Sequence, residues 1–254
     1  MITLRYPSGQ PMPQRVSEAL WYMGKVGILS KETWEQHFST GQAEWKNRQL
    51  LKLQKRGAIK SHSCTKVKRA WVLADASVRQ LQKKNHSVVL PVLPQHIDHD
   101  ELVGISMLRL QREGICVDWT TEKELKSECN RCFQLSGLSE SLKYPDAIFK
   151  VRVKGSSRNF ALEYERTGKS IARYRSILTQ YSKIQELSLI LYIVESEVIE
   201  NRIRKALSYM GEGLIAQRLA FASSADWKED PSKALIRMRT KAITLEDLGQ
   251  TRAD

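Results

Sequence analysis

The sequence predicts a mixed α/β protein in which a small, mainly helical first domain precedes a larger α/β domain. Helical apolar spacing fills most of the first sixty residues, whereas short apolar runs typical of strands alternate with helical segments after residue 100. Basic residues are unevenly placed, because residues 1–90 hold 16 Lys and Arg against 5 Asp and Glu, whereas residues 91–254 hold 25 against 23. Two prolines, Pro91 and Pro94, interrupt the connection. We therefore expect domains at 1–90 and 95–254.

The first domain is predicted to begin with three helices. The first covers residues 16–27 and ends at Gly27, and the second begins after Ser30 as its N-cap. The third contains the segment "AEWKNRQLLKLQKRGAI" and ends at Gly57. The residues expected to form the helical core are Val16, Ala19, Leu20, Met23, Trp34, Phe38, Leu50, Leu51 and Leu53.

A hairpin with a basic tip follows the third helix. Ile59 lies before the tip, and Trp71 and Leu73 lie after it, as in two paired strands. Three helices and such a hairpin predict a winged helix-turn-helix, in which the third helix enters the major groove of duplex DNA and the hairpin meets phosphates. The DNA-binding residues predicted in this way are Gln42, Trp45, Lys46, Arg48, Gln49, Lys52, Lys55, Arg56, Lys66, Lys68 and Arg69. A protein-binding module with a solvated basic face is the alternative.

The second domain alternates helices and strands. Its predicted elements are a helix at 100–114, a short strand with Val117 and Trp119, a helix with the capping box Thr121–Glu124, strands 147–153 and 160–165, a helix at 170–185, a buried strand from 187, a helix at 198–211, a strand candidate at 214–223 and a polar tail from Lys228. This order predicts an α/β sandwich with a mixed central sheet.

Four segments of this domain resemble the replication-relaxation family of plasmids and other mobile elements. They are "VDWTTEKEL", "YPDAIFKV", "FALEYERTGKS" and "YRSILTQY", and the resemblance extends from the first helix to about residue 225. The family implies a winged helix followed by a domain related to PD-(D/E)XK nucleases. We therefore expect a DNA-binding protein of a mobile element that acts in replication, mobilisation or transcription regulation.

The resemblance also implies a possible nuclease site. Asp146 stands where the nuclease fold has its aspartate, and Glu163 stands where it has its second acid. Glu165 shares a face of its strand with Glu163. Such a cluster would hold Mg²⁺ through carboxylate oxygens. An endonuclease would use Asp146, Glu163, Glu165 and Lys169 as catalytic residues and Asp146, Glu163 and Glu124 as metal ligands.

Position 165 departs from the nuclease pattern, because this class of nuclease has a lysine there and the chain has a glutamate. The change removes a cation that would stabilise the transition state, unless Lys169 or Lys183 replaces it. We therefore favour a binding protein whose second domain serves dimerisation or contacts with replication or transfer proteins. The Mg²⁺-dependent endonuclease is the alternative. A structural role competes at each acid, with Glu124 as a capping residue and Glu163 and Glu165 as ion-pair partners.

Several other classes of function are disfavoured. No apolar run is long enough to cross a bilayer, and no leader pattern opens the sequence, so we expect a cytoplasmic protein without membrane contact. "TGKS" at 167–170 lacks the earlier glycine of a phosphate loop, because position 163 is Glu. "CNRC" at 129–132 has zinc-knuckle spacing but no second ligand pair. We therefore expect no cofactor unless the protein is a nuclease, which would use Mg²⁺.

Overall fold

The structure, a computed structural model, describes residues 3–62, 69–127, 143–153, 155–211 and 213–250. The described chain forms two compact units. The first comprises the described residues up to Ile105 together with Lys126 and Ser127, and the second comprises Ser106–Leu125 together with the described residues from 143 onward. Helices and strands alternate along the chain, which confirms the predicted mixed α/β class. None of the described helices is long and apolar enough to cross a membrane.

The first unit contains a small antiparallel sheet and four principal helices. Its elements are α1 (Gln14–Val26), β1 (Leu29–Ser30), α2 (Lys31–Thr33), a π-helix (Trp34–Phe38), α3 (Ala43–Lys55), β2 (Ile59–His62), β3 (Ala70–Leu73) and α4 (Asp75–Lys83). The strand order is β1-β3-β2, so β3 pairs with both neighbours. A 3₁₀-helix (Pro94–His96) then leads into α5 (Ile97–Arg112).

Most of the core predicted for this unit is buried, and Ser30 caps α2 by accepting a hydrogen bond from the Thr33 backbone N–H at 3.1 Å. The prediction for Leu51 was wrong, because 62% of this residue is exposed. Leu50 and Leu53 share one face of α3, whereas Leu51 is turned about 100° from Leu50 around the helix axis. The apolar side of α3 is therefore narrower than predicted.

The second unit is built on the predicted mixed sheet. Its strands are β4 (Cys116–Thr121), β5 (Ala147–Val153), β6 (Ser156–Glu165), β7 (Leu187–Val194), β8 (Leu219–Ser223), β9 (Ile236–Arg237) and β10 (Ala242–Ile243), paired in the order β10-β9-β8-β7-β6-β5-β4. The pairs β6–β7 and β7–β8 are parallel, and the other pairs are antiparallel. Its helices after α5 are α6 (Glu122–Lys126), α7 (Ile171–Ser182), α8 (Glu197–Ser208), α9 (Leu214–Arg218), α10 (Ser224–Glu229) and α11 (Leu245–Gln250).

The chain after Lys228 differs from the polar tail that the sequence predicts. It forms two short strands and a helix, and Ile236 and Leu245 are fully buried. Because these apolar residues stand far apart, they produce no helical or strand periodicity. The strand candidate at 214–223 also divides into α9 and β8. Arg218 is the last residue of α9, and its guanidinium donates to the carbonyl oxygens of Ile184 and Leu187 at 2.7 and 3.1 Å.

One face of the central sheet packs against α7 and α8. Its buried apolar side chains include Ala161 of β6, Tyr181 of α7 and Tyr192 of β7. Side chains two residues apart on a strand share a face, so Glu163 and Glu165 lie on the same face as Ala161. The fold therefore places two carboxylates among apolar groups, between the sheet and a helix.

Candidate functional site

The pairing of β5 with β6 brings Asp146 and Glu163 together. Asp146 directly precedes β5, and its neighbour Ala147 pairs with Leu162 in the antiparallel register. The Asp146 carboxylate accepts a hydrogen bond from the Tyr164 backbone N–H at 2.7 Å. We name Lys143, Asp146, Glu163, Glu165 and Lys169 the carboxylate–lysine cluster.

Glu163 is the most enclosed member of this cluster. Its side chain has no exposed surface, and its two oxygens accept hydrogen bonds from the Lys143 ammonium and the Tyr181 hydroxyl. Burial is the largest influence on this carboxyl group and raises its pKa to about 7, although the positive charge of Lys143 acts in the opposite direction. Asp146 adds to the rise, because its negative charge lies nearby.

Lys143 is anchored at both its backbone and its side chain. The backbone N–H donates to the Gln180 side chain of α7 at 3.2 Å, and the ammonium donates to Glu163. Burial favours the neutral amine, but the carboxylates of Glu163 and Asp146 outweigh it and raise the Lys143 pKa above its ordinary value. Lys143 is therefore a cation inside the cluster, and 18% of its side chain is exposed.

Lys169 neutralises the second glutamate of β6. The ammonium of Lys169 donates to Glu165, which is almost fully buried, and the Lys169 backbone N–H donates to the Tyr174 hydroxyl at 3.1 Å. The structure thus brings Lys169 to the cluster, as the sequence analysis considered. Lys183 is exposed beyond the end of α7 and pairs with none of the carboxylates in the described chain.

Tyr192 provides a further polar group on this face. β6 and β7 place it opposite Glu163, and it is fully buried. Within the described residues, its hydroxyl has no hydrogen-bond partner. Burial, followed by the negative charge of Glu163, raises its pKa well above the ordinary value.

The sequence did not predict Lys143, Tyr181 or Tyr192 as members of this site. Lys143 stands only three residues before Asp146, and this proximity was an available signal. The two tyrosines gave no such signal, because helical and strand patterns identify them only as core residues.

Glu124 forms the capping box at the start of α6. Its carboxylate accepts hydrogen bonds from the Thr121 backbone N–H at 3.0 Å and from the Thr120 hydroxyl at 3.3 Å. The Thr121 hydroxyl accepts in return from the Glu124 backbone N–H at 3.3 Å. These are the reciprocal bonds of a capping box, so Glu124 has the structural role that competed with metal binding in the sequence analysis.

The cluster, as it stands, does not fit a divalent cation. Mg²⁺ needs several oxygen ligands with available lone pairs. Both oxygens of Glu163 already accept hydrogen bonds, and Glu165 and Asp146 each use one oxygen in the same way. Within the described ranges, no three His, Cys, Asp or Glu side chains are arranged to hold a metal ion. Cys64, Cys129 and Cys132 lie outside those ranges.

The outer face of α3 presents a second candidate site. We name Trp45, Arg48, Lys52 and Lys55 the α3 stripe, because their spacing of three, four and three residues aligns them along one exposed face. Half of Trp45 is exposed, at 49%. Arg48 lies 3.5 Å from Glu44, but both side chains are largely in solvent. Lys52 and Lys55 form no ion pair within the described part of the chain.

The other predicted DNA-binding residues differ in their surroundings. The Lys46 ammonium donates to the Glu35 carbonyl at 2.7 Å, and the Trp34 indole donates to the Lys46 carbonyl at 3.2 Å, so Lys46 holds α3 against the π-helix. The Arg56 guanidinium lies 4.4 Å from the centre of the Tyr6 ring. Gln42 and Arg69 are exposed, and Gln49 is partly buried. Lys66 and Lys68 lie outside the described residues.

Comparisons with protein-family models, with curated proteins and with solved structures find no significant match. The geometry therefore defines a mixed α/β chain with two notable features. One unit has a basic helix face, and the other has a neutralised carboxylate cluster.

Proposed function

We propose that this chain is a DNA-binding protein of a mobile element and that its first unit is a winged helix. The observation that supports this proposal most strongly is the α3 stripe, in which three cations and one aromatic side chain share an exposed helix face. The order of elements in the unit, helix, strand, helix, helix, strand and strand, also agrees with a winged helix.

The dimensions and chemistry of α3 suit the major groove of duplex DNA. An α-helix with its side chains is about 10–12 Å across, and the groove is about 12 Å wide, so a helix such as α3 can enter it. In this proposal Arg48 would form a bidentate hydrogen bond to guanine, and Trp45 would contact a thymine methyl group. Lys52 and Lys55, nearer the C-terminal end of α3, are assigned to phosphates, as is Arg69 beside β3.

The second unit serves dimerisation or partner contacts in this proposal. Its acidic residues are occupied by lysine and tyrosine donors, which suits a scaffold more than a catalyst. Val198, Tyr209 and Leu214 are large apolar residues left exposed on this unit and are available for a second copy of the chain. We assign to the DNA-bound protein a role in replication, mobilisation or transcription regulation of a plasmid or related element, within the cytoplasm.

The decisive experiment removes the charge of the α3 stripe and compares it with an equal loss elsewhere. The test variant is Arg48→Ala/Lys52→Ala/Lys55→Ala. The matched control is Arg173→Ala/Lys183→Ala/Lys205→Ala, which removes one arginine and two lysines from exposed positions on α7 and α8. Fluorescence anisotropy with a labelled duplex of about three helical turns measures affinity.

We expect the test variant to bind at least about tenfold more weakly and the control to bind within about twofold of the unaltered chain. Equal losses in the two variants would mean that total charge, not α3, determines binding. An unchanged affinity in the test variant would reject the proposed surface.

A Mg²⁺-dependent endonuclease is the second candidate, because Asp146 and Glu163 are adjacent across β5 and β6. The ammonium of Lys143 on Glu163 counts against it. Incubation of supercoiled and branched DNA with Mg²⁺ or Mn²⁺ tests this candidate. Metal-dependent cleavage that is lost in Asp146→Asn and Glu163→Gln, with DNA binding retained, would establish the nuclease. Absence of cleavage in the unaltered chain would leave the binding protein.

A further inference from the structure

We propose that the Lys143 ammonium is an internal cation that occupies the position of a divalent ion in the carboxylate–lysine cluster, and that removing its charge creates a divalent-cation site. This inference concerns the second unit and is independent of the proposed DNA binding. Several donors occupy the carboxylate oxygens of the cluster, and the inference assigns the decisive effect to the charge of Lys143.

The position of Lys143 is the first support. Its backbone is tied to α7 through Gln180, and its ammonium donates to Glu163, which projects from β6. Asp146 is three residues away along the chain and adjacent to Glu163 across the β5–β6 pair. The ammonium is therefore held where the two carboxylates that would ligate a metal meet.

Charge balance is the second support. Asp146, Glu163 and Glu165 are all buried, and a buried carboxylate without a compensating cation is costly by several kcal/mol. Lys169 compensates Glu165. Of the other two acids, Glu163 pairs with the Lys143 ammonium, and the charge of Asp146 also acts on Lys143. Either an ammonium or a divalent ion can supply the positive charge that these buried carboxylates require, but the two cannot occupy the same position at once.

Tyr192 supplies the third support. Its hydroxyl is fully buried, lies opposite Glu163 in the sheet register and has no hydrogen-bond partner among the described residues. A buried oxygen that none of the described groups bonds, beside two carboxylates, offers a contact for a water ligand of a hydrated metal ion. An ordinary lysine–glutamate ion pair does not account for this group.

The test replaces Lys143 with methionine, which keeps the length of the side chain and removes its charge. Lys183→Met is the matched control, because Lys183 is a lysine at the end of α7 outside the cluster. Mn²⁺ is titrated into each protein near pH 8, and free Mn²⁺ is measured by electron paramagnetic resonance. Lys143→Met/Glu163→Gln tests whether any new binding uses the cluster.

We expect Lys143→Met to bind one Mn²⁺ per chain at least about tenfold more tightly than the unaltered protein does. Lys183→Met should behave as the unaltered protein, and the double variant should lose the gain. Mn²⁺ should also raise the melting temperature of Lys143→Met more than that of the control. Absence of any gain in a folded Lys143→Met would overturn the inference and leave an ordinary ion pair.

The inference can also be tested if Lys143→Met is too unstable to fold without metal. If Lys143→Met folds only when Mn²⁺ is present, the metal replaces the ammonium and the inference stands. If Lys143→Met does not fold at all, Mn²⁺ binding by the unaltered protein is the test. Binding of Mn²⁺ below about 1 mM that Glu163→Gln abolishes would show that the site is open with Lys143 in place, and would overturn the inference. Absence of such binding would support it.

Discussion

At the scale of single residues, Glu163 shows how burial and local charge compete. Its carboxyl group lies fully inside the second unit and receives donors on both oxygens. Hydrogen bonds and the Lys143 charge favour the ionised form, whereas burial and Asp146 favour the protonated form. The balance leaves its pKa at about 7, against the ordinary value of 4.5.

This pKa predicts how stability depends on pH. Between pH 4.5 and about 7 the folded chain holds a proton on Glu163 that the unfolded chain has released. The contribution of Glu163 to the free energy of unfolding is therefore complete below the unfolded pKa of 4.5. It declines by up to about 3 kcal/mol as the pH rises to the folded pKa of about 7. In Glu163→Gln this decline should be absent.

Urea unfolding at half-unit intervals from pH 4.5 to 8 measures the effect. Glu197→Gln, at an exposed position at the start of α8, is the control and should follow the unaltered protein. Parallel curves for Glu163→Gln and the unaltered protein would contradict the predicted proton uptake.

Two buried tyrosines on the same face provide a comparison of bonded and unbonded hydroxyls. The Tyr181 hydroxyl donates to Glu163, whereas the Tyr192 hydroxyl has no partner in the described chain. Tyr181→Phe should lower the free energy of unfolding by about 1–3 kcal/mol, because Glu163 loses a donor. Tyr192→Phe should change it by less than about 0.5 kcal/mol or stabilise the chain. Urea unfolding of both variants tests this difference, and equal losses would be inconsistent with it.

At the scale of elements, α3 has a structural side and an exposed side. Leu50 and Leu53 are buried, and Lys46 and Trp34 connect the helix to the π-helix before it. The α3 stripe faces away from these contacts. One side of the helix is therefore anchored to the unit, and its other side presents the α3 stripe to solvent.

This division predicts different effects for two lysines of one helix. Lys46→Ala should lower the free energy of unfolding by about 1–2 kcal/mol, because the Glu35 carbonyl loses a charged donor. Lys52→Ala should leave the free energy of unfolding nearly unchanged, since Lys52 is exposed, and should weaken DNA binding. Urea unfolding and anisotropy on the same samples separate the two effects. A stable Lys46→Ala with weak binding would instead assign Lys46 to the DNA.

At the scale of the whole molecule, the asymmetry of charge is the dominant feature. The net charge is +13, of which residues 1–90 account for +11, as 16 basic minus 5 acidic residues. A polyanion would therefore meet the first part of the chain preferentially. The second part is nearly neutral, and its buried acids are balanced within the fold.

The charge asymmetry predicts the salt dependence of DNA binding. A plot of log affinity against log salt concentration should be linear with a negative slope, because each neutralised phosphate releases counterions. Loss of Lys52 and Lys55 should make the slope shallower by about 2, whereas loss of Lys183 and Lys205 should leave it unchanged. Anisotropy titrations between about 50 and 200 mM salt give the slopes. Identical slopes in the two double variants would show that α3 does not contact phosphates.

The sequence by itself determined the features that depend on local pattern. Helical spacing identified α1 and α3, the capping box located the start of α6, and apolar runs located β5 and β7, because these signals lie within a few neighbouring residues. The mixed sheet followed from the same patterns, and the family resemblance implied the positions of Asp146 and Glu163.

Only the tertiary structure decided which cations meet the buried acids. Lys143, Tyr181 and Tyr192 come from a loop, a helix and a strand, and no sequence spacing relates them to Glu163. The exposure of Leu51 and the strands after Lys228 were also decided there. Burial and long-range pairing depend on which surfaces the folded chain brings together, and a local pattern contains no information about that choice.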